Sequence, residues 1–544
     1  MRWNILSQFS QEKTILDALL ENRSMKTEEE KEAFLNPPKV TDLLEKFSSE
    51  FKKSVEEAAG IITSTMSAGR PIIIHGDYDA DGICATAILY RTIKNELGYS
   101  DVHSFIPDRF DHGYGLSSDS VDAVAEIVGE IDGALLITVD TGITSNEEVN
   151  YAKEMGFKVI IADHHQKPKN VPKADVIVWN EDMVGSGVSW SLAREIGSED
   201  ERLLGLVGLA TVTDLQPLLG FNRSVVKEGL EILNSNPLPG VKVLHEVAGR
   251  KGLIGTYDLG WVIGPRLNAA GRIGSASLGL SLLLEDDKEA ALGYVRQLND
   301  LNILRQEKTQ EMYELAATLH GDETPRVIIS ASQDYHEGII GLVAAKLVQE
   351  HYRPAIVISL DGEFAKGSVR SVKGVDIISM LREFEDLFEN VGGHPMAAGF
   401  TVQASRLDEL AQRVGEFAES YVLDEYLVPV IDVDMEIPLE TVDLEFARNL
   451  SLLSPFGIGN KEPTFLSRKL GVTGFDEVGR NSEHLSLKLL AGGKIFKAIW
   501  FGGVEKMPQI EVGGAVDLVY KVEEKEFNGR TYVDLIVRDL KISE

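Results

Sequence analysis

The sequence predicts an α/β protein: a parallel-sheet catalytic domain, a long connecting helix, a second α/β domain and a C-terminal OB-like β-barrel. Three patterns carry this. Between about 71 and 180, short β-branched runs (PIIIHGD, DVHSFIP, GALLITVDTG, FKVIIADHH, ADVIVWN) alternate with amphipathic stretches such as ATAILYRTIKNEL and SNEEVNYAKEMG. That alternation is the pattern of a parallel sheet with helices on both faces. From about 285 to 320 there is no proline, a single glycine and many good helix formers, which predicts one continuous helix. After Pro429, five alternating runs (RKLGVTGFDEV, HLSLKLL, KIFKAIWF, AVDLVYKVEE, RTYVDLIVRDLKI) separated by Gly/Asn turns predict a small barrel. The expected boundaries are 1–284 for an N-terminal segment with the catalytic domain, 285–322 for the helix, 323–427 for the second α/β domain and 428–544 for the barrel.

A chain of 544 residues exceeds what a single hydrophobic core supports, so several domains are expected. Cys84 is the only cysteine, which excludes a disulfide framework or a thiolate metal site and suits a reducing compartment. The first residues, MRWNILSQFS, lack the pattern of a secretory leader, and no apolar run approaches a membrane span. A cytoplasmic protein with no membrane partner is expected. The formal charge of −32 argues against a broad polyanion-binding surface. Any affinity for nucleic acid must therefore be local, and divalent cations in a carboxylate cluster could reverse the field there.

The segment His75-Gly76-Asp77-Tyr78-Asp79-Ala80-Asp81-Gly82 places four potential ligands within seven residues, where the strand PIII ends. Packed on one tight loop, these groups would repel one another unless a cation sat among them. One aspartate alone would more simply cap the following helix. The cluster reads differently because Asp140 in TVDTG and Asp163-His164-His165 also end strands of the same sheet, and such strand ends converge on one edge. Asp214 in GLATVTDLQPL could be a helix cap, and gains weight from this company. Carboxylates and imidazoles without thiolate favour Mn²⁺ or Mg²⁺. Two such ions roughly 3.5 to 4 Å apart, bridged by an aspartate, would support phosphoester hydrolysis without a covalent intermediate.

HGDYDADG, VDTG, ADHH and TD in that order, followed by GGHPMAAGF, resemble the DHH phosphoesterase superfamily with its DHH-associated domain. LNAAGRIGSA, KGSVRS, PFGIGN and the terminal strand-rich module narrow the resemblance to the bacterial single-strand-specific 5′ to 3′ DNA exonucleases of that superfamily, which act in repair and recombination. The resemblance implies that His75, Asp79 and Asp140 hold one metal ion while Asp81, Asp140, His164 and Asp214 hold the other. Asp77 is additional to the His-x-x-x-Asp-x-Asp pattern of smaller members, and direct ligand, indirect support and water contact all remain open for it. His165 would donate to the scissile phosphate, with Asp163 orienting the histidines.

The associated domain would grip the substrate. Gly392, Gly393 and His394 could form an anion nest or simply a glycine turn packed on a helix. Ser368 and Arg370 could hold a terminal 5′-phosphate with help from Arg272, since a planar guanidinium matches phosphate oxygens. Each arginine alone is more often a surface or ion-pair residue. Arg109 and Tyr114 could line the strand's path, or the tyrosine could pack on the core. In the barrel, Phe496, Trp500 and Phe501 could stack on bases, although alternating strand aromatics are usually core. Lys488, Lys494 and Lys497 read as solvated charges.

The implied activity is 5′ to 3′ degradation of single-stranded DNA to 5′-mononucleotides, with a single-strand-binding protein and a helicase as partners. An alternative is a DHH hydrolase of short oligonucleotides, cyclic dinucleotides or pyrophosphate, which would not need the barrel. A replication-fork scaffold is the non-enzymatic alternative, disfavoured because every expected ligand position is filled.

Overall fold

The computed structural model describes residues 1–9, 13–109, 111–113, 115–318, 325–506, 510–527 and 529–543. The chain divides into two units, one of residues 39–216 and 225–428, the other of residues 1–38, 217–224 and 429–544. The first strand, β1 (Arg2–Gln8), belongs to the second of these.

In the first unit, β2 (Ile72–Gly76), β3 (Val102–Phe105), β4 (Leu135–Val139), β5 (Lys158–Asp163) and β6 (Val176–Trp179) form an all-parallel sheet in the order β3-β2-β4-β5-β6. The five β-branched runs of the sequence are these five strands. Ile72–Ile74, Leu135–Ile137 and Val159–Ala162 have no solvent exposure, because helices cover both faces. The helix Ala80–Arg91 follows β2 and is almost wholly buried. Strand order reverses between β2 and β4, so HGDYDADG and VDTG leave the sheet at adjacent carboxyl ends, where a crevice opens.

The connecting helix is Lys288–Thr318, 31 residues and roughly 46 Å long. Beyond it, β7 (Ile328–Ser332), β8 (Ala355–Asp361), β9 (Phe364–Arg370), β10 (Phe388–His394) and β11 (Ala397–Gln403) form a mixed sheet in the order β10-β11-β9-β8-β7. The helix Ile340–His351 packs against β8 and β9. Among the described residues no helix is long and apolar enough to cross a membrane.

In the second unit, β13 (Phe465–Val478), β14 (His484–Ala491), β15 (Lys494–Trp500), β16 (Ala515–Phe527) and β17 (Arg530–Ile542) close into a five-stranded barrel through the β13–β16 and β15–β17 pairings. The predicted barrel strands are these five. β12 (Val430–Glu436) pairs in parallel with β13 and with β1. Here the expectation for the N-terminal segment is corrected: residues 1–38 pack with the barrel module, not with the catalytic sheet. Trp500 faces the barrel core and is not available for base stacking, Phe496 is partly buried against that core, and Phe501 is exposed.

One residue tethers the separated segments of this unit. Arg223 is 1 % exposed and donates to the carbonyls of Phe34 (2.7 Å), Ser454 (2.7 Å) and Pro455 (3.4 Å), with its guanidinium 3.8 Å from the Phe34 ring. Burial and the neighbouring Arg23 pull its pKa down to about 10. Arg223→Met should cost about 3 kcal/mol in denaturant unfolding, since three carbonyls lose a donor at about 1 kcal/mol each. A cost under about 0.5 kcal/mol, typical of a surface substitution, would show that it is no tether.

Candidate active site

The loop after β2 turns its aspartates inward through backbone hydrogen bonds. The Asp77 carboxylate accepts from the Tyr78 amide (2.8 Å). Asp79 caps the helix Ala80–Arg91, accepting from the amides of Asp81 (3.0 Å) and Gly82 (3.1 Å). Gly82 is required because a Cβ there would lie 2.4 Å from the Asp77 carbonyl oxygen. Asp81 is gripped on both oxygens by the amides of Gly185 (2.7 Å) and Ser186 (2.9 Å), at the start of the helix Gly185–Glu195. A helix N-terminus suits an anion there.

Asp140 leaves β4 with φ +58°, a conformation rare for a residue with a Cβ. A Cβ on Gly185 would lie 2.5 Å from the Asp140 Cβ. Asp163, at the end of β5, accepts from the amides of Ile143 (2.9 Å), His164 (2.7 Å) and His165 (3.1 Å) and from His165 Nδ1 (2.8 Å). It thus orients the His165 ring, while its link to His164 is through the backbone. The Trp179 indole donates to the His165 carbonyl (2.7 Å) and is covered by Lys167, 3.9 Å from its ring. Asp214 follows the helix Arg202–Thr213 and accepts from Gln216 (2.9 Å).

Three overlapping groups bring ligand atoms within 4.8 Å of one another: Asp77, Asp79 and Asp140; Asp140, His164 and His165; Asp81, His164 and Asp214. Asp140 and His164 are each shared between two of them. Asp77, whose role the sequence left open, lies with Asp79 and Asp140, the place the family resemblance assigns to His75. His75 is fully buried beside Phe105, at 5.4 Å between ring centroids, and falls in none of the three groups.

Electrostatics test whether these residues fit divalent cations. Burial, then the charges of Asp81, Asp79 and Asp77, push the Asp140 carboxyl well up. Burial and Asp79 raise Asp77 to about 8, and burial and Asp81 raise Asp214 to about 7. His165 is pulled down by burial, but its bond to Asp163 and the surrounding carboxylates raise it to about 9. Asp140 Oδ1 is buried without a hydrogen bond although His164 Nε2 is only 3.1 Å away, and both His75 nitrogens are likewise unpartnered. Two groups in contact without donor geometry are what two ligands of one cation look like. Carboxylates and imidazoles with no thiolate match a hard divalent ion, so the residues fit.

A basic cluster adjoins this site. Gly271 packs on the Tyr78 carbonyl, so the helix Gly264–Ile273 lies against the aspartate loop and carries Arg272. Arg272 Nη1 donates to the Gly338 carbonyl (3.3 Å). Burial and Arg109 pull the Arg272 pKa down to about 10. Arg109 lies 5.3 Å over the Tyr78 ring, while Tyr114 lies outside the described residues. Arg370 Nη1 donates to Ser368 Oγ (3.2 Å), and a Cβ on Gly341 would meet both side chains at 3.0 Å. Arg272, Ser368 and Arg370 therefore flank a single segment, the turn 336–341 that runs into the helix Ile340–His351. Gly392, Gly393 and His394 form the β10 end of a hairpin whose turn meets the helix Ile377–Arg382, the Ile377 amide donating to the Pro395 carbonyl (3.0 Å), and His394 pairs with Ala397, which pairs with Arg370.

Sequence reasoning missed the amides of Gly185 and Ser186, the Asn268 side chain that accepts from the Ala80 amide (2.7 Å), Trp179, and the turn 336–341. The GSG opening a helix was a usable signal for the first. The others depend on tertiary contacts with no local pattern.

The chain matches the DHH family N-terminal domain over residues 71–211, the DHHA1 domain over 324–420 and the RecJ OB domain over 433–539. It is 33 % identical to the single-stranded-DNA-specific exonuclease RecJ of Bacillus subtilis over 97 % of this chain and 68 % of that protein. To the RecJ of Haemophilus influenzae it is 32 % identical, over 89 % of this chain and 90 % of that protein. The crystal structure of Thermus thermophilus RecJ in complex with Mn²⁺ superposes with a TM-score of 0.83 at 28 % identity, covering all of this chain and 80 % of that one. Three domain matches in order and extended similarity at this level lead to one conclusion: the chain belongs to the RecJ family.

Proposed function

We propose that this protein degrades single-stranded DNA from its 5′ end, hydrolysing phosphodiesters and releasing 5′-mononucleotides. The observation that carries the reading is the adjacency of two opposite clusters in one unit: buried carboxylates that fit divalent cations, and arginines around the turn 336–341. RecJ relatives named as single-stranded-DNA-specific exonucleases, with structures holding Mn²⁺ or Mg²⁺, support both the substrate and the metals.

Asp77, Asp79 and Asp140 would hold one ion, and Asp81, His164 and Asp214 with Asp140 the other, with His75 buried beside them. When bound, two such ions supply Lewis-acid polarisation of the phosphoryl group and an activated water. The protein's own residues do the rest. Asp163 fixes the His165 ring and raises its pKa, so that it would donate to a non-bridging phosphate oxygen as negative charge builds there. Arg272, Ser368 and Arg370 hold the 5′-terminal phosphate, with the Gly392, Gly393 and His394 hairpin and Arg109 along the strand's path. Occupying that pocket sets the polarity, because only a strand with its 5′ end there presents its next phosphodiester to the metals. The barrel module would hold the single strand. A cytoplasmic setting, with a single-strand-binding protein and a helicase supplying the substrate, completes the reading; the lone buried Cys84 suits it.

Digestion of strands labelled at either end, with Mn²⁺, Mg²⁺ or chelator, tests this directly. A 5′-phosphorylated single strand should yield mononucleotides from its 5′ end only with metal; preference for a dinucleotide or for duplex would sink the reading. Asp140→Ala should lower kcat at least a thousandfold, since Asp140 is shared between ligand groups. Retained activity would refute that role.

The raised carboxyls also fix a pH dependence. Without metal, the folded protein keeps protons on Asp77 and Asp214 that the unfolded chain has lost above about pH 4. Stability of the metal-free protein therefore falls as pH rises from about 4 towards 8. Cations displace those protons, so the rise in Tm produced by Mn²⁺ should grow between pH 6 and pH 8. A shift independent of pH would contradict the assignment.

A further inference from the structure

His165 sits where β5 gives way to residues 164–175, a loop with no helix or strand of its own. Asp163 holds the His165 amide and ring Nδ1. A residue held only at those two points can still pivot about them. Its carbonyl is the remaining handle, and the Trp179 indole takes it, donating at 2.7 Å. That is at the short end of the range for N–H···O bonds. Among the described residues, the next hydrogen bond along the loop is made by the Asn170 carbonyl, which accepts from Asn146 (2.9 Å). The chain between His165 and Asn170 thus depends on Trp179 for its anchorage at the catalytic end.

Trp179 ends β6, and the parallel register sets it opposite Asp163, which puts the two side chains on one face of the sheet. Lys167, two residues beyond His165, lies with its Nζ 3.9 Å over the indole. The ring is therefore fixed to the loop twice, by the His165 carbonyl and by the Lys167 ammonium. A tryptophan that only filled a core would be enclosed. Trp179 instead borders a cavity of about 560 Å³ that is also lined by Phe51, Lys53, Asp175 and Asn180. Its neighbours Val176 and Val178 meet the packing needs of the strand with aliphatic side chains. What the indole adds to this strand is a donor that reaches the catalytic loop.

We propose that Trp179, covered by Lys167, is a positioning residue for phosphodiester hydrolysis: it fixes the His165 backbone so that the imidazole meets the phosphate oxygen on which charge develops. The inference rests on the exonuclease reading and on the role given to His165. Donors stabilise developing charge only when they are held in place before the reaction, and a misplacement of about 1 Å costs about a hundredfold in rate. Losing the carbonyl hold while Asp163 keeps the amide and the ring is a smaller displacement. It costs rate rather than affinity, because the indole bonds to the His165 carbonyl and not to the strand. His164 keeps its own amide bond to Asp163 (2.7 Å), so the metal ligands stay in place.

The test is kcat and KM for a 5′-phosphorylated single strand, with Mn²⁺, in a double-mutant cycle. Trp179→Phe keeps an aromatic ring and removes the N–H, and should lower kcat about tenfold with KM within about twofold. His165→Ala should lower kcat about a hundredfold. Because Trp179 acts through the His165 side chain, adding Trp179→Phe to His165→Ala should change kcat by less than about twofold. The rise in Tm produced by Mn²⁺ should be the same in Trp179→Phe as in wild type. A tenfold fall in both backgrounds, a loss carried by KM, or a smaller Mn²⁺ effect would overturn the proposal. Lys167 is exposed, so Lys167→Met decides the matter if Trp179→Phe does not fold. It should lower kcat about threefold in wild type and leave His165→Ala unchanged; an equal change in both backgrounds would overturn the proposal. An unimpaired His165→Ala would overturn it together with the role of His165, and a wild type that digests no single strand would refute the exonuclease reading itself.

Discussion

Mutual repulsion of carboxylates buried at one edge of a parallel sheet organises this protein. Asp77, Asp81, Asp140 and Asp163 are nearly inaccessible to water, and the raised pKa values of Asp77 and Asp140 record how unfavourable their charges are together. Backbone amides relieve part of this. Asp81 is held by the amides of Gly185 and Ser186, Asp79 by those of its own helix, and Asp163 by three amides and His165. Asp163 is the instructive exception. Burial pushes its carboxyl up, yet its donors outweigh burial and leave it below the usual carboxylate range. Fully solvated by protein donors, it needs no ion and serves to orient. Asp140 Oδ1 has no such donor, and a cation would satisfy that oxygen.

A second cluster of opposite sign complements the first. The acidic balance of the chain would predict avoidance of nucleic acid, yet both charges are segregated within one unit. A phosphodiester backbone with a terminal phosphate can engage the metal-bearing carboxylates through one phosphate and the arginines through another. Gathering charge of one sign in each cluster is the expected cost of a site built to hold charge in transit.

Much of the fold was legible because its signals are local. The β-branched runs mark the five parallel strands, their motifs fall at carboxyl ends, and an uninterrupted run of helix formers marks the connecting helix. Pairing between distant segments left no such mark. β1 joins β12 across more than four hundred residues, and nothing in RWNILSQ states that its partner lies after Pro429. Trp500 and Phe496 show the same limit: alternation identifies a strand, and only closure of the barrel decides which face is core. At the site, residue types announced the chemistry, but the choice between His75 and Asp77 turns on where a tight loop aims its side chains. The Asp77 carboxylate is turned by the Tyr78 amide and the Asp77 backbone is packed against Gly82, a local geometry that spacing alone does not encode.

Glycines join the two clusters mechanically. Gly271 rests on the Tyr78 carbonyl of the aspartate loop, and Gly338 rests on the carbonyl of Arg272, where a Cβ would clash with the oxygen. Gly341 then meets Ser368 and Arg370. Each contact is a close approach that any side chain would prop apart. Together they form a continuous path from the metal-binding loop, through the helix Gly264–Ile273 and the turn 336–341, to β9. Releasing one nucleotide at a time requires a constant separation between the group that grips the strand's end and the group that cuts it. The Gly271 and Gly338 contacts hold that separation backbone on backbone, and Gly341 extends it to the Ser368 and Arg370 side chains. On this view the glycines of AAGRIG and HEGIIG keep the gripping and cutting sites in register, and the arginines and aspartates they position supply the chemistry.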